Sequence, residues 1–422
     1  MTDAVSRPVR RLPRGSGLLL HFTALPGSQG SGDLGPAAVE FVDFLAASGQ
    51  SLWQVLPVGP TGYGNSPYQS LSAFAGNPLL VSLERLAEEG WLSSSEIEPP
   101  SPFPVDRVDF DAVSAWRQSR LAIAFDRFQL GQGELAADFA GFRQRAAGWL
   151  DDYALFSSLK QESGERAWTE WPGELIRRDP DALAAARRRL AVSIEREAFI
   201  QFQFDRQWSA LRAYAHAHGV RIMGDIPIFV AHDSADVWAN QRLFHLDADG
   251  RPTVVAGVPP DYFSETGQLW GNPLYRWDVV AAEGYAWWIE RFRHAMSQFD
   301  LVRLDHFRGF ESYWEIPGDA KDARVGRWAP GPGIAFFDAA EHVLGPLPLV
   351  AEDLGIITPA VDALRDEFGA PGMRVLQFAF GTDDKAAEYQ PHNYPAHCVV
   401  YTGTHDNDTT VGWFHSRAGE GT

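Results

Sequence analysis

Short runs of apolar, often β-branched residues that end in polar residues recur along the chain. Runs that are apolar at nearly every position are typical of strands in a parallel sheet whose two faces are both covered. The pattern predicts seven strands of this kind: Gly17–Thr23, Ser51–Gly59, Arg221–Val230, Asp300–Gly309, Leu349–Gly355, Met373–Phe380 and His397–Asn407.

Helical patterns with clear ends lie between several of these strands. Pro36 begins one helix and Gly49 ends it, while Thr358 begins a second helix that Gly369 ends. Proline and threonine are preferred at helix starts, and glycine is preferred just after helix ends. A third helical pattern, rich in aromatic residues, leads directly into the strand at Asp300. Strands that alternate with helices in this way favour a TIM-like (β/α)8 barrel over an open sheet.

Long helical patterns such as Asp111–Phe128 and Asp181–Tyr214 interrupt the alternation. The sequence therefore predicts an α/β fold in three parts. Residues 1–60 and 216–422 form the barrel, and residues 61–215 form an inserted helical subdomain.

Seven strands do not close an eight-stranded barrel. Either one strand is missed or merged with another in this interpretation, or the last strand is absent at the C-terminal end, and we favour the second alternative. The strands at Gly17–Thr23 and His397–Tyr401 are then two open edges. A 422-residue chain with such edges is expected to be poorly soluble or weakly active.

The net charge and the lengths of the apolar runs exclude several kinds of partner and a membrane-spanning segment. With 36 basic and 55 acidic residues, the net charge is −19, and such a surface repels nucleic acid and anionic lipid. Neutral partners are expected instead.

No run approaches the roughly eighteen apolar residues of a membrane span, and Leu18–Leu20 is too short for a signal sequence. The single cysteine, Cys398, excludes an intramolecular disulfide and is expected to be a small buried residue. We expect a cytoplasmic protein.

Carboxylates stand at the ends of three predicted strands, where barrel enzymes place their active sites. Asp305 ends the fourth strand and shares a face with Arg303, whose guanidinium favours an ionised carboxylate. Glu352 and Asp353 end the fifth strand, and one of them can face a substrate; Asp406 ends the seventh. Taken singly, these residues could form a buried ion pair, a helix cap and a polar turn. Together they indicate retaining glycosidic chemistry, which needs an anionic nucleophile and a protonated acid about 5–5.5 Å apart.

Motifs for metal sites, dinucleotide binding and phosphate loops are missing, so no metal is expected. The chain is rich in aromatic residues, with 15 Trp, 11 Tyr and 27 Phe, and aromatic planes suit the C–H faces of sugar rings. The best candidates for sugar contacts lie in two polar segments, Gly62–Gln69 and Pro259–Pro273. The second segment is long and contains glycine, and it is predicted to be a lid over an extended ligand.

From Gly15 to its end the sequence resembles the 4-α-glucanotransferases known as amylomaltases or disproportionating enzymes. The resemblance rests on seven segments: Ser16–Gly27, Gly59–Pro78, Arg221–Pro227, Pro259–Pro273, Arg303–Gly309, Ala351–Gly355 and Thr404–Asp408. It implies transfer of α-1,4-glucan segments from donors to glucose or maltooligosaccharide acceptors, through a covalent glycosyl–aspartate and without a cofactor. Members of that family continue through a helical stretch into a final barrel strand, which also contributes a sugar contact.

The same resemblance implies a role for each site residue. Asp305 is expected to be the nucleophile, Glu352 the general acid/base and Asp406 the stabiliser of the transition state. Arg303 would position Asp305, and His405 would contact the bound sugar. The remaining expected sugar contacts are Tyr68, Asp225, Trp270 and Phe378 on the donor side, and Tyr63, Ser66, Tyr262 and Gln268 in further subsites.

Two other functions remain as alternatives. An α-glucan hydrolase would use the same three carboxylates, because water and a sugar hydroxyl attack the same intermediate. A catalytically inactive glucan-binding protein is a different class, and the intact set of Asp305, Glu352 and Asp406 argues against it.

Overall fold

The computed structural model describes residues 12–131, 133, 135–260, 264–381 and 385–417. The strands among them are β1 (Gly17–Leu19), β2 (Leu52–Gln54), β3 (Arg221–Pro227), β4 (Val254–Val258), β5 (Gln268–Pro273), β6 (Leu301–Asp305), β7 (Ser312–Pro317), β8 (Arg327–Pro330), β9 (Leu349–Ala351), β10 (Gly372–Val375) and β11 (Cys398–Tyr401). The helices are α1 (Pro36–Ala47), α2 (Leu83–Glu88), α3 (Phe110–Leu130), α4 (Leu135–Arg145), α5 (Leu150–Glu162), α6 (Gly173–Ile176), α7 (Pro180–Arg189), α8 (Ala191–Ala217), α9 (Ala235–Ala239), α10 (Trp277–Ala282), α11 (Ala286–Gln298), α12 (Ile334–Leu344), α13 (Pro359–Phe368) and α14 (Thr410–Arg417).

Parallel strands form the centre of the fold. β1, β2, β3, β6 and β9 make one parallel sheet in this order, and β10 and β11 make a parallel pair. The backbone N–H of Ala351 in β9 donates to the carbonyl oxygen of Pro371 at 2.9 Å, which brings the pair beside the sheet. All seven predicted strands are confirmed. Each is shorter than predicted, because the chain leaves the sheet early to form the polar turns at the strand ends.

The outer strands of this array are β1 and β11. Within the described residues, β1 pairs with β2 and β11 pairs with β10, and no ladder joins β11 to β1. A closed barrel is therefore not formed by the described strands. The hydroxyl of Tyr401 in β11 nevertheless donates to Oε1 of Gln54 in β2 at 2.7 Å. This bond links the two ends of the array through side chains instead of the backbone.

The helices that flank the parallel strands follow the predicted pattern. α1 starts at Pro36 and buries Val42 and Leu45 against the sheet. α13 starts at Pro359, and Gly369 ends it with a φ of 81°, a left-handed conformation that favours glycine. These helices confirm the corresponding predictions.

Residues 61–215 contain long helices, as their sequence pattern predicts. α3 and α8 pack through Phe128 and Phe199, whose ring centroids lie 4.8 Å apart. The pattern predicted over Asp181–Tyr214 is divided at Leu190 into α7 and α8. The division of the chain into three parts stays a prediction.

Two buried glutamines attach α8 to the segment that leads into the site. Gln201 accepts a hydrogen bond from the N–H of Gly76 at 2.7 Å and donates to its carbonyl oxygen at 2.9 Å. Gln207 bonds in the same way to Ser82, at 2.7 and 3.2 Å. Each glutamine amide thus satisfies the backbone N–H and C=O groups that a neighbouring strand would otherwise pair with. The segment after β2 is therefore held in place although it is not part of the sheet.

The structure also contains a four-stranded antiparallel sheet, ordered β5-β4-β7-β8, which the sequence did not predict. It includes Gln268–Pro273, the second half of the segment predicted to be a lid. The prediction of a loop is wrong for these residues, because they pair with β4; their role as a lid over a ligand stays a prediction. Asp261–Phe263, and with them Tyr262, lie outside the described residues.

Two smaller expectations concern single features of the chain. Cys398 is partly exposed, contrary to prediction, because β11 is an outer strand; its thiol lies 3.1 Å from the carbonyl oxygen of Pro395. In the described part of the chain, no helix combines the length and the apolar character that crossing a bilayer requires.

Candidate active site

A cleft of about 1180 Å³ opens at the carboxyl ends of the parallel strands. Ten of the predicted site residues line it: Ser66, Tyr68, Gln268, Trp270, Arg303, Asp305, Glu352, Phe378, His405 and Asp406. Asp225 lies buried beneath this surface, in contact with Tyr68 and Arg303. Tyr63 is 93% exposed and lies apart from the cleft lining. The structure therefore brings together most of the predicted site.

Arg303 joins two carboxylates at the base of the cleft. Its Nη1 lies 2.7 Å from Oδ2 of Asp225 and 2.7 Å from Oδ1 of Asp305. In the parallel register of β3 and β6, Asp225 is directly opposite Arg303, and Asp305 follows two residues later on the same face. Arg303 and Asp225 are buried, whereas the side chain of Asp305 is 26% exposed. The guanidinium thus directs Asp305 towards the open side of the cleft.

Glu352 follows β9 and lies beside Asp305. Leu304 of β6 pairs with Ala351 of β9, so the next residues along these strands are Asp305 and Glu352, on backbones about 4.8 Å apart. Backbone N–H groups of His306 and Leu354 donate to the Glu352 carboxyl at 2.8 and 2.7 Å. The carboxyl group is therefore held at a fixed point next to Asp305.

Burial dominates the electrostatics of Glu352. It raises the pKa of this carboxyl to about 7; Arg303 opposes the rise, and the Asp305 carboxylate adds to it. A carboxyl with such a pKa keeps its proton near neutral pH and can donate it to a reacting oxygen.

His306 forms the turn between Asp305 and the 3-10 helix Phe307–Phe310. Its φ of 52° is left-handed, uncommon for a residue with a side chain. The turn allows the His306 N–H to reach Glu352, while the imidazole meets the Trp270 indole edge to face, with 4.8 Å between centroids. Burial lowers the pKa of the imidazole to about 4, so the ring is neutral.

A second group of polar side chains lines the same cleft. The hydroxyl of Tyr68 donates to Oδ2 of Asp225 at 2.8 Å and lies 2.8 Å from Nε2 of His405. The two rings also stack, with centroids 5.2 Å apart. Nε2 of His405 lies 3.3 Å from Oδ1 of Asp406, whose side chain is 75% exposed. Asp225 therefore connects Arg303 with Tyr68, and Tyr68 in turn bonds to His405.

Burial shifts the pKa values of Asp225 and His405. Burial raises the pKa of Asp225 to about 7; Arg303 opposes this shift and Asp305 adds to it. Burial lowers the pKa of His405, while neighbouring Asp406 opposes that shift. A neutral imidazole can both donate and accept hydrogen bonds, which suits contact with sugar hydroxyls.

Sequence reasoning missed several residues of the cleft lining. They are Gln69, Asn272, His306, Phe380, Tyr389 and Trp413. Gln69 and Asn272 fall within segments singled out by their polar and aromatic composition, and their side chains bond at 3.3 Å. Phe380 and Trp413 were not singled out, because Phe380 was interpreted only as the end of a predicted strand and Trp413 lies beyond the last predicted strand. Among the described residues, no group of His, Cys, Asp or Glu is arranged to hold a metal ion.

Comparison with known proteins supplies a family for this site. The glycoside hydrolase family 77 model, described as 4-alpha-glucanotransferase, matches residues 20–421. A 4-alpha-glucanotransferase from Thermus thermophilus is 56% identical over 408 residues, which cover 96% of this chain and 81% of the relative. Another, from Synechocystis, is 52% identical over 409 residues, with the same coverage of both chains.

A solved structure agrees with the sequence comparison. The amylomaltase from Streptococcus agalactiae, in complex with acarbose, superposes with a TM-score of 0.92 and 40% sequence identity. The match covers 97% of this chain and 83% of the amylomaltase. Because the family match extends over almost the whole chain and two relatives are more than half identical to it, the chain belongs to the 4-alpha-glucanotransferases of glycoside hydrolase family 77.

Proposed function

We propose that this 4-alpha-glucanotransferase moves α-1,4-glucan segments from donor glucans to glucose or maltooligosaccharide acceptors by a retaining double displacement. Asp305 is the nucleophile, Glu352 the general acid/base, and Asp406 the stabiliser of the transition state. The observation that carries the proposal is the adjacency of Asp305 and Glu352 at the ends of neighbouring strands. Side chains on neighbouring backbones about 4.8 Å apart can bring their carboxyl groups to the separation of about 5–5.5 Å that retaining enzymes use.

The first step breaks the donor's glycosidic bond. Glu352 gives its proton to the glycosidic oxygen, and Asp305 attacks the anomeric carbon with a carboxylate oxygen. The leaving glucan departs with the proton, and the donor segment stays bound to Asp305 as an ester. The raised pKa of Glu352 and the contact of Asp305 with Arg303 support this division of roles.

Positive charge develops on the sugar ring in the transition state. Asp406, exposed at the cleft wall, can accept hydrogen bonds from sugar hydroxyls and offset that charge. His405 and Tyr68, which bond directly to each other while Tyr68 also bonds to Asp225, contribute further hydrogen bonds to the sugar.

The second step transfers the segment to an acceptor. Glu352, now a carboxylate, takes the proton of the acceptor 4-hydroxyl, whose oxygen attacks the anomeric carbon and releases Asp305. Two inversions at one carbon restore the original configuration. Water in place of the acceptor gives hydrolysis, so occupation of the acceptor region by sugar decides the outcome.

The remaining sugar contacts follow the same interpretation. We infer that Trp270 and Phe378, together with Tyr68 and Asp225, bind the donor. Ser66 and Gln268, which line the cleft, bind sugar in further subsites, as do Tyr63 and Tyr262. We further infer that residues 1–60 and 216–422 belong to a (β/α)8 barrel and that residues 61–215 are a helical subdomain inserted into it.

Incubation with maltotriose alone tests the function. Transfer produces glucose together with a ladder of chains longer than maltotriose, because each released segment joins another glucan. Chromatography of the products over time reveals the ladder. Products that are only shorter than maltotriose would indicate a hydrolase, and unchanged maltotriose with retained binding would indicate a glucan-binding protein.

A further inference from the structure

The 3-10 helix Leu376–Phe380 brings two phenylalanine rings to the cleft at different points. The ring of Phe378 meets Tyr389 edge to face, with centroids 5.3 Å apart. The ring of Phe380 packs instead on Trp413 of α14, at 5.1 Å and 54° between the ring planes. All four residues line the cleft. One short helix therefore supports two separate aromatic surfaces.

The surface formed by Phe380 and Trp413 is not part of the protein core. Phe380 is 47% exposed, and neither ring belongs to the clusters of buried apolar residues among the described residues. Exposed aromatic area in the wall of a cleft is unfavourable in water and is typical of a surface that a ligand covers. The cleft that it lines also contains Asp305 and Glu352, so the ligand that reaches this surface is the glucan.

The position of the pair is fixed by hydrogen bonds. The backbone N–H of Gln377 donates to the carbonyl oxygen of Thr402 at 3.3 Å, and its side-chain amide donates to that of Asp408 at 2.9 Å. The N–H of Trp413 donates to Thr409 at 2.7 Å. These bonds hold the two ring-bearing segments together before a ligand arrives, which lowers the cost of ordering on binding.

We propose that Phe380 and Trp413 form an additional glucan subsite that selects longer chains. The two ring faces pack against the C–H face of one glucose unit, and polar residues that line the same cleft, Asp408 and Ser416, are available to its hydroxyls. Phe380 is the more exposed end of its helix, whereas Phe378 packs on Tyr389. In this proposal, a short glucan that occupies the reacting centre leaves the pair of Phe380 and Trp413 uncovered.

The experiment compares kcat/KM for maltoheptaose with kcat/KM for maltotriose. In Phe380→Ala and in Trp413→Ala, the ratio of the two values should fall about tenfold, since one stacked sugar unit is lost. Phe414→Ala is the matched control: its ring is 60% exposed on the same helix but does not line the cleft. That control should keep the wild-type ratio.

A ratio equal to that of the wild type in both alanine variants overturns the proposal. If an alanine variant is unfolded, Phe380→Leu decides, because leucine keeps apolar bulk without a planar face; an unchanged ratio in that variant also overturns the subsite. The proposal rests on the proposed transferase function. Failure of the wild-type protein to extend maltotriose would contradict that function, whereas the ratio tests the subsite alone.

Discussion

Arg303 explains why two aspartates of very different exposure belong to one site. Its guanidinium contacts both Asp225 and Asp305 at 2.7 Å, yet the side chain of Asp225 is buried while that of Asp305 opens to the cleft. Asp225 is therefore suited to position Arg303 and Tyr68, and Asp305 is suited to react. The contrast could not be derived from the sequence, where each residue is one carboxylate in an apolar strand.

The pH dependence of catalysis tests the role of Glu352. Burial raises its pKa to about 7, and the first step requires the protonated form. In the proposed mechanism kcat/KM therefore falls as the pH rises through about 7, because Glu352 loses the proton that the leaving oxygen needs. Measurement of kcat/KM for maltotriose between pH 5 and 9, a range of roughly two units around that value, checks this.

The Glu352→Gln variant supplies the control for the pH profile. A substrate whose leaving group needs no proton, such as a glycosyl fluoride, should still form the intermediate in this variant, while maltotriose should react several orders of magnitude more slowly. If kcat/KM of the wild type falls equally at alkaline pH for the glycosyl fluoride and for maltotriose, Glu352 is not the general acid.

At the scale of elements, the strand β5 presents Trp270 to the cleft. The indole contacts His306 edge to face and is partly exposed, in agreement with a ligand contact more than with a core position. Trp270→Ala is expected to weaken binding of long glucans by about 1–3 kcal/mol. A core tryptophan would instead cost about 3–5 kcal/mol of stability.

Calorimetric glucan affinity and the melting temperature separate these two outcomes. Leu269→Ala is the matched control, since Leu269 is the neighbour on the same strand and does not line the cleft. A lower melting temperature with unchanged affinity in Trp270→Ala would remove Trp270 from the sugar site.

The elements also show what the sequence could and could not predict. Hydrophobic runs revealed all seven parallel strands, because buried parallel strands are apolar at nearly every position. The antiparallel sheet was not predicted, because the sequence of β5 is typical of a polar loop, with glycine at position 271. The site carboxylates were found because they end strands. His306 was not predicted as a site residue, because its left-handed turn and the bond between its N–H and Glu352 are visible only in the structure.

At the scale of the whole molecule, the net charge of −19 matters little to a neutral substrate. No ion pair forms between a neutral glucan and the protein, and no counterions are released when it binds. The KM for maltotriose should therefore change less than about twofold as ionic strength increases from about 0.05 to 0.5 M. A steep dependence on salt would indicate that a charged ligand is the true substrate class.

A covalent intermediate on Asp305 is the central claim of the proposed mechanism. Glu352→Gln should accumulate it from an α-glucosyl fluoride, because fluoride leaves without a proton while the second step lacks its base. Mass spectrometry of the intact protein and of its peptides should reveal one added glucosyl unit on Asp305. The double variant with Asp305→Asn should show none. An adduct on another residue, or steady fluoride release with no adduct, would contradict the account.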